Sequence, residues 1–423
     1  MAKSAPGGLE SGVEEAFGAA PHERPVPRIS IQAFCEFPDT GAALQRASSD
    51  RRLAKAQVTV QLGGVQAAVE HHADNATPNL LIVETRLQGK AAVEEIDRLA
   101  DVCDPATKVL VIGRVNDVEL YRELMRRGVS EYLVAPLNPM HLIEVISGLY
   151  LDPEAAPIGR VISFLPARGG AGSSTLAHNV GWCIAEHLKI NTTLIDLDMA
   201  YGTLGLNFNE EPSQGVADAL SAPERLDDVL LDRLLLKATD HLSLFASPAI
   251  IDRNYETNPE TFESVLDAVR RVTPCVIVDL PHHWSPWVKQ TLLASDDIVI
   301  VATPDLVSLR TAKSYIDLVK QMRPNDPLPK LVMNQTGVPK RPEIPVKDFA
   351  ETLGVSPSVT LPFEPQLYGA SANNGQMLMD AQPKSPTADG IRRLAEMVTG
   401  RAVQAEEKSI LPFLSFLTGK KSA

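Results

Sequence analysis

The chain has 423 residues, a formal net charge of −13 and a hydrophobic fraction of 44%. The length exceeds what one core ordinarily serves, so two domains are expected, and the apolar content is that of a folded protein. The acidic balance argues against general nucleic-acid binding, which needs a basic footprint; only Lys340, Arg341 and Lys347 form a local basic group.

No apolar run reaches the roughly eighteen residues of a membrane-spanning helix. Residues 1–25 are small, acidic and Gly/Pro-rich, without a secretion-signal pattern, so they read as a disordered N-terminal segment of a cytoplasmic protein. Cys35, Cys103, Cys183 and Cys275 have no paired or metal-like spacing and read as buried small hydrophobes.

Between 26 and 150, strand-like runs at 29–35, 57–62, 79–85, 108–113 and 131–134 alternate with helix-like stretches, and a helix at 139–149 closes the unit. Such βα alternation implies a small α/β doubly wound parallel sheet of the flavodoxin-like kind. The order of elements, with Pro78-Asn79-Leu80-Leu81-Ile82-Val83-Glu84 as third strand, resembles a response-regulator receiver domain. The resemblance implies a phosphate-accepting aspartate where this chain has Glu84. It implies a Ser or Thr after strand four, where Gly113 stands, and a lysine before the strand-five proline, where Ala135 precedes Pro136. Of the acidic cluster after strand one only Glu36 is visible. Phosphorylation is therefore not expected, and 26–150 reads as a degenerate receiver-like domain for docking or dimerisation, or as a plain structural domain.

A Pro-containing linker at 151–158 leads into a strand at 160–165, the segment Ala167-Arg168-Gly169-Gly170-Ala171-Gly172-Ser173-Ser174-Thr175, and a helix over 175–188. Glycines let successive N–H groups turn inward, and the helix N-terminus adds its positive dipole end, which makes a cradle for a polyphosphate. Arg168, Gly169, Gly170, Ala171, Gly172, Ser173, Ser174 and Thr175 are thus the candidate nucleotide-binding residues, for ATP with Mg²⁺. In the usual phosphate loop a lysine follows the last glycine and reaches the β- and γ-phosphates, and the next hydroxyl residue holds Mg²⁺. Here Ser173 replaces the lysine, while Ser174 keeps the metal's hydroxyl. A hydrogen bond to a charged group is worth about 1.5–3 kcal/mol, so affinity should fall about tenfold to a hundredfold. Binding survives such a loss more readily than fast hydrolysis does.

Further strands follow. Residues 192–198 end in Asp196 and Asp198, at the sheet edge where open parallel sheets hold ligands. They are the candidate catalytic residues, orienting the attacking water or the Mg²⁺ shell; the plainer alternative is a helix cap and a solvated carboxylate. Residues 276–281 carry Asp279, which suits the carboxylate that holds Mg²⁺ through water. A strand at 297–302 runs into Thr303-Pro304, and one at 331–334 ends in Asn334, whose amide is suited to reading an adenine edge. Span 159–400 therefore reads as a P-loop nucleotide-binding domain with a mainly parallel sheet. His282 and His283 read as a polar loop beside Trp284 and Trp287, since adjacent histidines point apart and no Cys or carboxylate lies at ligand spacing.

Arg168-Gly-Gly-Ala-Gly-Ser-Ser-Thr175, the doubled-aspartate strand, Asp279-Leu-Pro, Thr303-Pro304 and Leu361-Pro362-Phe363-Glu364 resemble the ParA/MinD group in kind and order. The loop variant, with the segment 198–208 and Asp279-Leu-Pro-His-His-Trp284, is similar to the CpaE/TadZ branch of that group, from 28 to about 400. The resemblance implies a part in Flp/Tad (type IVb) pilus biogenesis, an ATP-sandwich homodimer, partners among pilus and secretion assembly proteins, and a polar location. In the group the first loop lysine reaches the partner's phosphates across the dimer; Arg168 takes that place, with a planar fork suited to phosphate.

In the tail 401–423, Ile410, Phe413, Leu414 and Leu417 share one helical face, flanked by Lys408, Lys420 and Lys421. Residues 408–421 suit a peripheral membrane contact, as in MinD-like tails, or docking on the chain's own domain or on a pilus protein. Together these features lead to a nucleotide-gated localisation and assembly factor with weak or absent hydrolysis. The alternatives are a nucleotide-dead interaction scaffold and a DNA- or chromosome-partitioning ATPase, the latter disfavoured by the acidic charge.

Overall fold

A computed structural model of the chain describes residues 26–150, 158–249 and 258–401. The expected N-terminal segment, most of the linker and the amphipathic tail lie outside the described residues.

Strands β1 (Ser30–Cys35), β2 (Gln57–Leu62), β3 (Leu80–Glu84), β4 (Lys108–Gly113) and β5 (Glu131–Val134) form a five-stranded sheet in the order β2-β1-β3-β4-β5. Every pairing in it is parallel. Helices α1 (Pro38–Ser48), α2 (Gly64–His72), α3 (Gly89–Ala100) and α4 (Val118–Arg126) supply the crossovers, and α5 (Pro139–Tyr150) follows the last strand. Leu44, Ala47, Ile143 and Ile146 of α1 and α5 cover one face, and residues of α2, α3 and α4 cover the other. With both faces covered, central β3 is a continuous apolar run from Leu80 to Val83 that ends in Glu84, all buried, rather than an alternating one.

The second sheet is built from β6 (Arg160–Pro166), β7 (Thr192–Asp196), β8 (Leu236–Lys237), β9 (Leu242–Phe245), β10 (Cys275–Asp279), β11 (Asp297–Ala302), β12 (Lys330–Thr336) and β13 (Pro357–Pro362). Its order is β13-β12-β11-β6-β10-β7-β9-β8, parallel except for β8 against β9. Between β6 and β9 lie α6 (Ser173–His187), α7 (Leu204–Asn207), α8 (Val216–Ser221) and α9 (Asp228–Leu234). Beyond them come α10 (Pro259–Val272), α11 (Pro286–Ala294), α12 (Leu306–Met322), α13 (Val346–Leu353), α14 (Pro365–Asn374), α15 (Leu378–Ala381) and α16 (Pro386–Thr399). Helices α6 and α16 pack on one face of the sheet, and α10 to α13 on the other. The two-sheet α/β architecture is the expected one, and among the described residues no helix is long and apolar enough to cross a membrane.

Local ends differ from the sequence reading for identifiable reasons. Strand β7 stops at Asp196 because that side chain accepts the Asp198 N–H at 3.0 Å and turns the chain. Helix α6 starts at Ser173 because Gly172 takes a left-handed φ of 87° and breaks the loop there.

The two sheets meet through buried charge. A 3-10 turn at Arg51–Leu53 follows α1. Arg51 bonds Asp296 at 3.2 Å and Asp326 at 2.9 Å, and Arg52 pairs with Asp326 as well as with Asp50. Arg323 reaches the same Asp326 at 2.7 Å, and the Asp296 and Asp326 side chains are 0% and 2% exposed. Three guanidinium groups thus converge on one buried carboxylate. Burial alone would push the Asp326 carboxyl up, but the charges of Arg51 and Arg323 outweigh it and hold the group at about 2.

Removing one partner from a buried pair costs about 3–5 kcal/mol because the others stay buried and uncompensated. Asp326→Asn should therefore destabilise the chain by that order in urea unfolding at neutral pH. The folded carboxyl lies below its unfolded value of about 3.9, so its stabilisation is complete above that pH and lost as pH falls toward 2. The gap between parent and Asp326→Asn should accordingly narrow between about pH 4 and pH 2; a gap independent of pH would refute the charge account.

Candidate functional site

The loop between β6 and α6 is clamped from a neighbouring strand. Ala167 N–H donates to Val301 of β11 at 2.8 Å. The Asn334 Nδ2 amide donates to the Ala171 carbonyl and the Gln335 Nε2 amide to the Gly170 carbonyl, each at 2.8 Å. Both residues lie on β12, so one strand end fixes the two loop carbonyls. Gly172 has no room for a side chain: a Cβ there would lie 2.5 Å from Asn334 Nδ2, at a φ that L-residues rarely adopt. Helices α10, α11, α12 and α16 are capped by the side chains of Asn258, Ser285, Asp305 and Ser385. Helix α6, whose N-terminus follows the loop, has no side-chain cap, and its first-turn N–H groups have no intrahelical partner. That arrangement fits an anion.

Asn334 is tied into the loop. Its buried carboxamide is engaged on the loop through Nδ2, and its Oδ1 accepts the Gln335 N–H at 2.9 Å. These bonds use one N–H and one lone pair of the carboxamide to hold backbone in place. Arg168 is exposed and pairs with Asp305 at 3.2 Å. Asp305 is fixed by the Thr303 hydroxyl at 2.5 Å and by the Ser308 N–H at 3.0 Å, which gives the Thr303-Pro304 segment its part in placing the arginine. Thr175 lines a pocket of about 300 Å³ with Asn179, Asn207, Tyr368 and Met377.

Asp196 and Asp279 end adjacent strands in register, and His178 of α6 lies over them. All three are buried. Asp196 accepts the Asp198 and Leu204 N–H groups. Burial pushes its carboxyl up to about 6 against those bonds, and pushes the Asp279 carboxyl well above its ordinary value, with the Asp196 charge adding and the Ser174 hydroxyl opposing. Desolvation drives the His178 imidazole down to about 3. Asp198 stands apart, part-exposed, accepting the Tyr201 N–H at 3.0 Å in a turn. The structure thus brings Asp196, Asp279, Ser174 and the loop together and leaves Asp198 at the rim. Among the described residues, His282 and His283 join no group of metal-ligating side chains.

At the carboxyl edge of the first sheet the acceptor position is filled. Glu84 is fully buried and accepts the Glu36 and Phe37 N–H groups at 2.9 and 3.0 Å and the Thr40 hydroxyl at 2.8 Å, with Arg114 at 3.5 Å. Gly113 lies under the Tyr132 ring: a Cβ there would stand 2.7 Å from two ring carbons. Tyr132 is held by its hydroxyl donating to the Val115 carbonyl at 2.8 Å, so the hydroxyl residue of a receiver has no space.

No protein-family model matches the chain. It is 48% identical to a pilus assembly protein CpaE from Caulobacter crescentus CB15, over 30% of this chain and 98% of that one, with a TM-score of 0.30. The chain belongs to the CpaE-like ParA/MinD group. A ParA family ATPase from Chlorobium tepidum TLS is 26% identical, covering 56% of this chain and 98% of that one at a TM-score of 0.51. The septum site-determining protein MinD of Synechocystis sp. is 24% identical over 272 residues, 62% of this chain and 94% of its own length. Sequence identity carries the first similarity, and the ParA structure carries the fold of the larger part.

Within this CpaE-like chain, sequence reasoning missed His178, Gln335, Asp305 and Tyr132. His178-Asn179 is a polar pair between apolar Leu176-Ala177 and Val180 in α6, and that break in the pattern was the available signal. Gln335 and Tyr132 left none, because each acts through a partner distant in sequence. The crowding at Gly113 predicts that Gly113→Ala costs about 1–3 kcal/mol in thermal or urea unfolding, as overpacking does; an unchanged midpoint would show that the Tyr132 ring gives way freely.

Proposed function

We propose that this chain is an ATP-binding localisation and assembly factor of Flp/Tad pilus biogenesis, made of a receiver-like unit at 26–150 and a ParA/MinD-like unit at 159–400. The observation that carries the reading is the uncapped N-terminus of α6 behind a loop whose carbonyls are pinned by Asn334 and Gln335. In this reading residues 168–175 hold the phosphates through backbone N–H groups. Ser174 holds Mg²⁺ directly and Asp279 through water. Bound Mg²⁺ supplies charge neutralisation on the β- and γ-phosphates. The pocket beside Thr175 gives room for the base or ribose.

Arg168 swings from Asp305 to phosphate, its own or that of a second copy in a homodimer. Asp196 holds the turn at the end of β7 and orients water beside the loop, with Asp198 at the rim of the site. With Ser173 in the lysine position, turnover is weak or absent, and nucleotide occupancy gates dimerisation and contact with pilus or secretion partners at a cytoplasmic, polar location. A peripheral membrane contact through 408–421 belongs to the same reading. The Ser173 replacement also favours a second reading, a nucleotide-dead scaffold.

Calorimetric titration of the full chain with ATP and Mg²⁺ separates them. Micromolar binding is expected, abolished in Gly172→Val, weakened in Arg168→Ala and tightened about tenfold to a hundredfold in Ser173→Lys. No heat up to millimolar ATP at two temperatures would leave the scaffold.

A further inference from the structure

We propose that His178, Asp196 and Asp279 form a binding site for one divalent transition-metal ion of the zinc class, independent of nucleotide. The three come from α6, β7 and β10, and each offers one ligand atom, all within 4.8 Å of one another. His178 Nε2 stands 3.8 Å from Asp279 Oδ2. Ligands at about 2.0–2.1 Å from a tetrahedral zinc lie about 3.3 Å apart, so that pair closes on an ion with a side-chain shift of under about an ångström.

A second observation is separate from the clustering. Among the described residues, His178 Nε2 and Asp279 Oδ1 are buried without a hydrogen-bond partner, and so is the hydroxyl of neighbouring Ser173. His178 itself is 1% exposed and Asp279 3%. Buried polar atoms are nearly always paired, and an orphan costs about 1–3 kcal/mol. A metal ion would satisfy the nitrogen and the carboxylate together.

Charge points the same way. Among the described residues no Lys or Arg forms an ion pair with Asp196 or Asp279; Arg168 is held by Asp305, and Ser173 occupies the place where a phosphate loop carries lysine. Two buried carboxylates therefore lack a cation. The other ring nitrogen is engaged as well, with Nδ1 2.7 Å from Asn207 Nδ2. Metal binding through Nε2 requires that amide to turn so that its oxygen accepts Nδ1–H, the usual support of a metal-bound histidine.

One imidazole with two carboxylates suits zinc, manganese or iron(II) rather than magnesium, which prefers oxygen and water. Asp279 is shared with the Mg²⁺·ATP reading, but this site needs His178 and no nucleotide, so either reading can fail without the other.

The test uses the full chain, stripped with chelator and free of nucleotide, titrated with Co²⁺ by visible absorption and with Zn²⁺ by calorimetry. One equivalent is expected to bind. His178→Asn and Asp279→Asn should weaken it at least tenfold, while His282→Ala with His283→Ala leaves it unchanged. X-ray absorption on the zinc-loaded parent should show a single imidazole among nitrogen and oxygen ligands at about 2.0–2.1 Å, a readout that needs no variant to fold. Absence of binding overturns the proposal. So does binding indifferent to His178→Asn, the mark of an ordinary hydroxyl and carboxylate cation site, or a zinc shell with no imidazole or with several.

Discussion

Asp196 and Asp279 stand side by side in register on neighbouring parallel strands, both buried, and the chemistry at this edge of the second sheet follows from that juxtaposition. Two like charges this close in a water-poor setting do not both ionise without compensation. Asp196 meets part of the demand by accepting two backbone N–H groups, which spends its charge on the turn after β7. Asp279 has no such backbone partners and faces Ser174 and His178 instead. Where a phosphate loop ordinarily brings a lysine close by, this chain brings Ser173, so positive charge at this edge has to come from a ligand or be replaced by a proton.

Topology decides what else can reach that edge. Strands β6, β7, β10, β11 and β12 are parallel, so the loop, both aspartates, Asp305 and Asn334 all gather at their carboxyl ends. The receiver-like sheet docks at the opposite end: Asp296 and Asp326 precede β11 and β12, and Arg51 and Arg52 precede β2. The two sheets therefore meet through their amino-terminal edges. Glu84, at the carboxyl end of β3, lies away from the junction, as the loop does. Docking built on buried guanidinium and carboxylate groups is demanding in geometry, since each charge is tolerable only while its partners stay in place.

The strands were legible because parallel sheets covered on both faces are written as continuous apolar runs, and the loop was legible because its glycines and hydroxyls follow such a run directly. Asp196 and Asp279 announced themselves as carboxylates at strand ends. What stayed hidden depends on partners far apart in the chain. Asn334 looked like a free amide and is bound to Ala171, 163 residues earlier. Asp326 and Arg51, 275 residues apart, gave no local sign of meeting. Gly113 read as a missing hydroxyl residue, whereas the space is occupied by Tyr132. His178 stood out in sequence only as half of a polar pair in α6, and its position over the carboxylates comes from the fold.

The first sheet has its acceptor position occupied by its own side chains. A receiver alters its acceptor edge by adding a phosphoryl charge of about −2 to an exposed carboxylate. Here the longer Glu84 side chain places its carboxyl group against Thr40, the Glu36 and Phe37 amides and Arg114, so the acceptor position is already surrounded by donors. No phosphoryl group could be accommodated without breaking those bonds. At the edge of the second sheet, by contrast, donors remain open at the uncapped start of α6, with the carboxylates facing it.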